Sequence, residues 1–223
     1  MLFETLNLKR AGNVVYNTIR EKILNGELEV GQRIDVEQTA QQMGVSRTPI
    51  KDALQKLAAE GLIEIKSRKG TFVAQVQLRD LEETFEVREA LELKACELLS
   101  GKLSREQATI LRELNEKMKD RNLTRPEHIV MNHEFHRNLI EFTGNKRLCK
   151  MYLELSAQVT MARIHPKYDD WKGPLAAVVE DHENIVDALL ENRMERAQRI
   201  LSKHIREAKD RLIARISEVE KTA

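Results

Sequence analysis

Cysteine is scarce in this chain. Its two cysteines, Cys96 and Cys149, stand far apart and outside any metal or redox spacing, so neither a disulfide framework nor a cysteine-ligated metal is expected. They read as free thiols of a cytoplasmic protein. Long hydrophobic runs are missing too. No stretch is long enough to cross a membrane, and no signal peptide opens the chain. Aromatics make up 4% and there are 9 Gly and 4 Pro against 33% charged residues, a balance that points to a mostly helical soluble protein. An excess of either charge is also lacking, with 37 basic and 36 acidic residues in 223. Residues 1–75 carry 11 basic and 9 acidic side chains, so even that part is nearly neutral. A nucleic-acid binder of this composition must gather its cations into a small patch, and a dimer would collect enough phosphate contacts.

What is present begins with Ser46-Arg-Thr-Pro-Ile-Lys-Asp-Ala-Leu. Ser46 suits an N-cap, with its hydroxyl accepting from a first-turn N–H, and Pro49 falls where a missing N–H costs little. Ile50, Ala53, Leu54 and Leu57 recur at helical spacing, while Arg47, Thr48, Lys51 and Gln55 share the opposite face. Arg47 lies at the positive end of the helix dipole and calls for an anion. Before it, Asp35 opens a short helix with Val36, Ala40 and Met43 on one side, and Gly44 closes it. A further helix from about Ala11 to Leu24 puts Val14, Val15, Ile19 and Ile23 inward. After Gly61 the period turns to alternation. Leu62–Lys66 and Thr71–Ala74 read as two strands joined by Ser67-Arg-Lys-Gly, with Lys66, Arg68 and Lys69 at the tip. Helix, helix, turn, helix, hairpin is the order of a winged helix-turn-helix.

Residues 8–75 resemble the DNA-binding domain of GntR-family transcription regulators. The matching pieces are Arg20, Ile23, Gly26-Glu-Leu, Gly31-Gln-Arg-Ile, the Ser46–Leu54 segment, Leu57, Glu60-Gly-Leu-Ile and Gly70-Thr-Phe-Val. The resemblance implies DNA contacts at Ser46, Arg47, Thr48, Lys51, Arg68, Lys69 and Gly70. Where the family usually has Arg-Glu, this chain has Lys51-Asp52. Lysine lacks the guanidinium fork that matches guanine, so Lys51 would hold a phosphate rather than read a base.

From Asp80 onward every segment reads helical. Helices are expected over 81–100, from a Ser104-Arg-Glu-Gln107 capping box to about Asp120, and from Thr124-Arg-Pro126 to Gly144. Others follow from Asn145 to Ile164, from Pro174 to about Leu190, and from a cap at Asn192 to about Ser217. His165 to Gly173 reads as a loop. The chain is thus mainly α, with a winged helix-turn-helix over 1–75, a linker over 76–80, and an antiparallel helical bundle of about six helices over 81–223.

Three of those helices each place one histidine on an otherwise apolar stripe. The stripes are Ile129, Asn132, His136, Ile140; then Leu175, Val178, Val179, His182, Ile185, Val186, Leu189; then Ala197, Leu201, His204, Ala208. A single histidine there is an ordinary core residue. Three on separate helices suit a divalent metal. His128, His133 and His165 fall off the stripes and read as surface residues. Arg88 and Glu92 lie one turn apart on the stripe of Leu81, Phe85, Ala95 and Leu99. They form either a buried ion pair that fixes register or a carboxylate-binding arginine with its partner. Arg163, on the stripe of Leu148, Leu155 and Val159, is a second cation of that kind.

Residues 80–218 resemble the FCD ligand-binding domain that follows the winged helix in FadR-type GntR regulators. Val87-Arg88-Glu-Ala-Leu-Glu92, Asn132-His-Glu-Phe-His136, Gly144-Asn145, His182-Glu-Asn-Ile-Val-Asp-Ala-Leu-Leu and Ala197–His204 carry the likeness. The resemblance implies a metal held by His136, His182 and His204, with Asn132 standing where many such domains have Asp. Zn is the expected ion, with Ni or Mn as alternatives. It also favours a small organic-acid effector bound at Arg88, with Arg163 a weaker candidate for the same role, and the low net charge calls for a homodimer on a palindromic operator. The competing reading is a metal-dependent hydrolase using the three histidines. Against it, no carboxylate stands near the set as an evident general base; Glu134 and Glu183 are close in sequence, but neither lies on an inner stripe.

Overall fold

A computed structural model describes residues 8–75, 78–120, 122–164 and 175–221. The chain divides into two compact units, Met1–Val76 and Gln77–Ala223. Residues 1–7, the first two linker residues and the 165–173 loop with His165 lie outside the described residues.

The first unit holds α1 (Leu8–Leu24), β1 (Arg33–Ile34), α2 (Val36–Met43), α3 (Arg47–Ala59), β2 (Ile63–Lys66) and β3 (Gly70–Val73). Val15, Ile19 and Ile23 of α1 pack with Ile50, Ala53, Leu54 and Leu57 of α3 in its core. Val14, expected inward, is 60% exposed, since one residue of rotation carries it about 100° off a strict i, i+4 stripe. Tyr16 donates to Glu60 at 2.6 Å and Arg20 lies 3.7 Å from the same carboxylate, tying α1 to the end of α3. Burial and the Glu60 charge push the Tyr16 phenol up to about 12. Asp35 caps α2 by accepting from the N–H groups of Glu37 and Gln38, and Gly44 ends it in the left-handed conformation. The wing is a three-stranded antiparallel sheet in the order β1-β3-β2, with Ile34 opposite Thr71 and Ile63 opposite Val73. β1 escaped the sequence reading because two residues carry no alternation.

The second unit is a bundle of α4 (Leu78–Leu99), α5 (Arg105–Lys117), α6 (Arg125–Phe142), α7 (Lys146–Ile164), α8 (Leu175–Leu190) and α9 (Met194–Lys221). α4 packs on α6, α7 and α9, and α8 on α5 and α9. Ser104 and Thr124 each close a capping box, with Gln107 and Glu127 reaching back to the cap N–H. Asn192 does not cap α9 as expected. It takes the left-handed conformation, and its side chain accepts from the Ser100 hydroxyl. On α7 the inner face runs Leu148, Tyr152, Ser156, Val159 and Thr160, with Leu155 only half-buried.

Candidate nucleic-acid interface and metal centre

Ser46, Arg47, Thr48 and Lys51 are exposed at the N-terminal end of α3. Ser46 has the extended backbone of an N-cap but makes no capping hydrogen bond. Its hydroxyl is exposed, and water competes with the helix for it. Arg47 already has an anion: its Nη1 lies 3.1 Å from Glu37 Oε1 on α2. Sequence reasoning missed Glu37, whose pairing depends on how α2 crosses α3. Lys51, Arg68 and Lys69 have no ion-pair partner among the described residues, whereas Lys66 pairs with Glu64 at 3.0 Å and lies over the Phe72 ring.

Arg68 and Lys69 occupy the turn between β2 and β3, closed by Lys69 N–H to the Lys66 carbonyl at 3.0 Å. Arg68 adopts φ 62° there, a left-handed conformation that side chains seldom take. Gly70 follows at φ 120°, and a Cβ on it would stand 3.1 Å from Arg33 Nε. Glycine therefore lets the Arg33 guanidinium lie against the wing. Arg33, exposed and beside the turn, is a cation the sequence reading did not single out.

In the second unit His136 on α6, His182 on α8 and His204 on α9 converge, with one ligand atom of each within 4.8 Å of the others. All three are buried. His136 Nδ1 lies 2.7 Å from Glu92 Oε2, and His204 Nδ1 lies 3.3 Å from Asp181 Oδ2. The expectation that no carboxylate stands near the set is corrected. Glu92 and Asp181 reach it across the α4–α6 and α8–α9 contacts, which sequence order does not reveal. Each carboxylate fixes one imidazole with Nδ1–H as donor and leaves Nε2 facing away. His182 lies flat on Phe135, ring centroids 3.8 Å apart.

Burial lowers all three imidazoles, His136 to about 3 even though Glu92 opposes the fall. They are neutral, as metal ligands must be. Burial alone would raise the Glu92 carboxyl, but Arg88 and His136 outweigh it and hold it below the ordinary range. Three nitrogens, His136 Nε2 and both of His182, are buried without a hydrogen-bond partner among the described residues. Unsatisfied buried nitrogens are costly, and a coordinated cation satisfies them, so this donor set fits a divalent metal.

Arg88 is buried with its Nε donating to Glu92 Oε1 at 2.6 Å, and Tyr152 also hydrogen-bonds its guanidinium. Of the two alternatives the sequence left open, the buried ion pair is present. Arg88 also lines a narrow cleft, with room for little more than a water molecule, together with Ile129, Asn132, His133, Tyr152, Ser156, Val159 and Thr160. The surface reading of His133 is corrected: it is half-buried, lines the cleft and stacks on Tyr152. Half-buried His128 is also no plain surface residue. Tyr152, Ser156 and Thr160 were missed because a polar lining breaks the apolar stripe that would have marked α7's inner face. The Arg163 side chain lies outside the described residues. Cys96, one turn beyond Glu92, is 1% exposed, and burial with the Glu92 charge pushes its thiol up to about 12.

Comparison with known proteins agrees with this division. Residues 11–73 match the family model of bacterial regulatory proteins of the gntR family, and residues 83–207 match the FCD domain. A probable D-xylose utilization operon transcriptional repressor of Paenarthrobacter nicotinovorans is 31% identical, over 82% of this chain and 80% of its own length. The Nta operon transcriptional regulator of Aminobacter aminovorans is 27% identical over 82% and 85%. Among solved structures, E. coli McbR/YncC shares the fold with a TM-score of 0.78 and 24% identity, covering 91% of this chain and 96% of that one. No helix among the described residues is long and apolar enough to cross a membrane. With one domain that binds DNA and a second that is not an enzyme of the hydrolase kind, this chain belongs to the GntR family of bacterial transcription regulators, in the branch that carries an FCD domain.

Proposed function

We propose that this cytoplasmic regulator binds a palindromic operator as a homodimer, and that a small organic acid held beside a divalent metal in the FCD domain controls that binding. The observation that carries the proposal is the set of three buried nitrogens on His136 and His182 that have no partner among the described residues. His136, His182 and His204 would hold the ion, most favourably Zn with Ni or Mn as alternatives, and Asn132 or water would complete the set. Such an ion supplies a Lewis-acid anchor for a carboxylate oxygen. Arg88 offers the second anchor from the wall of the cleft, with Arg163 a further cation on α7. Ser156, Thr160 and Tyr152 supply hydroxyls to the same cleft, which favours an acid that also carries hydroxyl or keto groups. That one relative is described as the probable repressor of a sugar-utilization operon is in keeping with control by a small metabolite.

At the DNA, Arg47 and Thr48 would meet base edges, while Ser46, Lys51, Arg68, Lys69 and the Gly70 backbone meet phosphates. An effector can change operator affinity only by binding one conformation of the dimer better than the other, and operator must then change effector affinity by the same factor. The test is elemental analysis of protein purified without chelator, followed by calorimetric titration of hydroxy, keto and sugar acids with and without operator DNA. Stoichiometric metal and an acid whose affinity shifts with DNA are expected. Protein that stays metal-free after reconstitution returns the three histidines to core packing. An acid that binds identically in both titrations removes the control.

A further inference from the structure

Arg33 stands on β1 opposite Phe72 of β3, so its side chain leaves the sheet on the same face as Phe72 and, two residues back, Gly70. From the other side β2 sets Lys66 opposite Gly70 and Glu64 opposite Phe72, on that same face. The reverse face is the core face, where Ile34, Ile63 and Val73 are buried. The bare glycine is therefore flanked by two cations, one from each neighbouring strand. Their situations differ. Lys66 is paired with Glu64 at 3.0 Å and lies over the Phe72 ring. Arg33 is exposed and has no ion-pair partner among the described residues. It is nevertheless held in place. A Cβ on Gly70 would stand 3.1 Å from Arg33 Nε, 3.6 Å from Nη2 and 3.7 Å from Cζ, so the guanidinium lies along the Gly70 backbone in space that a side chain would fill. A cation fixed next to the turn of Arg68 and Lys69, with no acid of its own, is repelled by its neighbours until an outside anion arrives. A planar guanidinium suits a phosphate there.

From this we infer that Arg33 is a further DNA-contacting residue of the wing, gripping a backbone phosphate, and that position 70 is glycine to make room for it. The inference rests on the DNA-binding reading of the wing above. It deepens that reading by adding a cation from β1, outside the hairpin turn. Arg33 is set back from the tip that carries Arg68 and Lys69. A group behind the tip meets the wall of the groove that the tip enters, and that wall is sugar and phosphate. The contact therefore positions the wing without reading sequence.

The experiment follows the fluorescence anisotropy of a labelled duplex of scrambled sequence, titrated with the full chain at several salt concentrations. Arg33→Gln should flatten the slope of log affinity against log salt by about one per bound protomer, the share of one phosphate contact. Arg33→Lys keeps the charge and should keep most of the slope. Arg199→Gln removes the same charge from an exposed position on α9 and should leave the slope unchanged. A loss in Arg33→Gln no larger than in Arg199→Gln overturns the inference, and so does an equal loss in Arg33→Lys, which would come from a distorted wing. Lys69→Gln separates this outcome from failure of the wing reading. If Lys69→Gln flattens the slope and Arg33→Gln does not, only the role of Arg33 falls. If neither does, the wing does not touch DNA. Gly70→Ala should flatten the slope in the parent and change little further in Arg33→Gln. Full additivity of the two overturns the reason given for the glycine. Thermal melts check folding, and the Arg33 comparison decides the phosphate contact even if Gly70→Ala does not fold.

Discussion

Glu37 decides what Arg47 can do before any DNA arrives. The pair is exposed, so it adds little to stability, but it sets where the guanidinium points. Arg47→Ala should lose roughly 1–3 kcal/mol of discrimination between operator and a variant base pair, as expected for a side chain that reads a base edge. Lys69→Ala should weaken all sequences alike and flatten the salt dependence. Glu37→Gln distinguishes two roles for the pair: tighter binding to every sequence means that Glu37 competes with DNA, and loss of site preference means that it aims Arg47. Electrophoretic shifts on operator and scrambled fragments measure all three, and an Arg47→Ala protein with unchanged site preference would overturn the assignment of α3. The buried imidazoles make a second prediction, for chelator-treated protein. Their folded pKa lies below the ordinary 6.5, near 3 for His136, so between those values the unfolded chain takes protons that the folded chain refuses. Stability is complete above about pH 6.5 and falls as pH drops, by about 1.4 kcal/mol per pH unit for each neutral imidazole. Urea midpoints against pH should show this slope, and His182→Gln should reduce it by one imidazole's share. An unchanged slope would mean that His182 is protonated in the folded protein.

At the scale of elements, two serines that look alike in sequence behave differently. Ser104 accepts from the Gln107 N–H and closes a capping box on α5, while Ser46 makes no cap bond on α3. Ser104→Ala should cost about 1 kcal/mol of stability, and Ser46→Ala close to nothing while still weakening DNA binding. Denaturant midpoints check the first comparison, and equal losses at both positions would contradict it. The contrast also shows what sequence conveys. Helix starts at Asp35, Ser104 and Thr124 and the end at Gly44 were legible because the groups that decide them lie within about four residues of one another. The three histidine stripes were legible because a period of 3.6 marks a helix face. Glu92 with His136, Asp181 with His204, and Glu37 with Arg47 were not, because each pairing depends on which helices become neighbours. β1 and the cleft-facing side of α7 were lost for a different reason: two residues show no period, and Ser156 and Thr160 disguise a buried face.

For the molecule as a whole, charge is the governing quantity. A chain of net charge +1 has no long-range attraction for DNA, so in the proposed dimer twofold symmetry would double the small cationic patch of α3 and the wing. A single polypeptide should show only weak, salt-sensitive binding to a half-site, while the full palindrome binds with clear preference. Equal affinity for half and full sites at matched protein concentration would argue against the dimer. Cys96 offers a clock for the same molecule. Its thiol is 1% exposed, lies one turn from Glu92 and is held almost wholly protonated, so it cannot react with an alkylating reagent while the helices stay packed. Labelling at Cys96, in a protein whose half-buried Cys149 has been replaced by serine, therefore counts how often the bundle opens at its centre. Any ligand that grips the histidines or Arg88 must slow that count. The wall behind the proposed site thus carries its own record of occupancy, readable by mass spectrometry without knowing which ligand fills it.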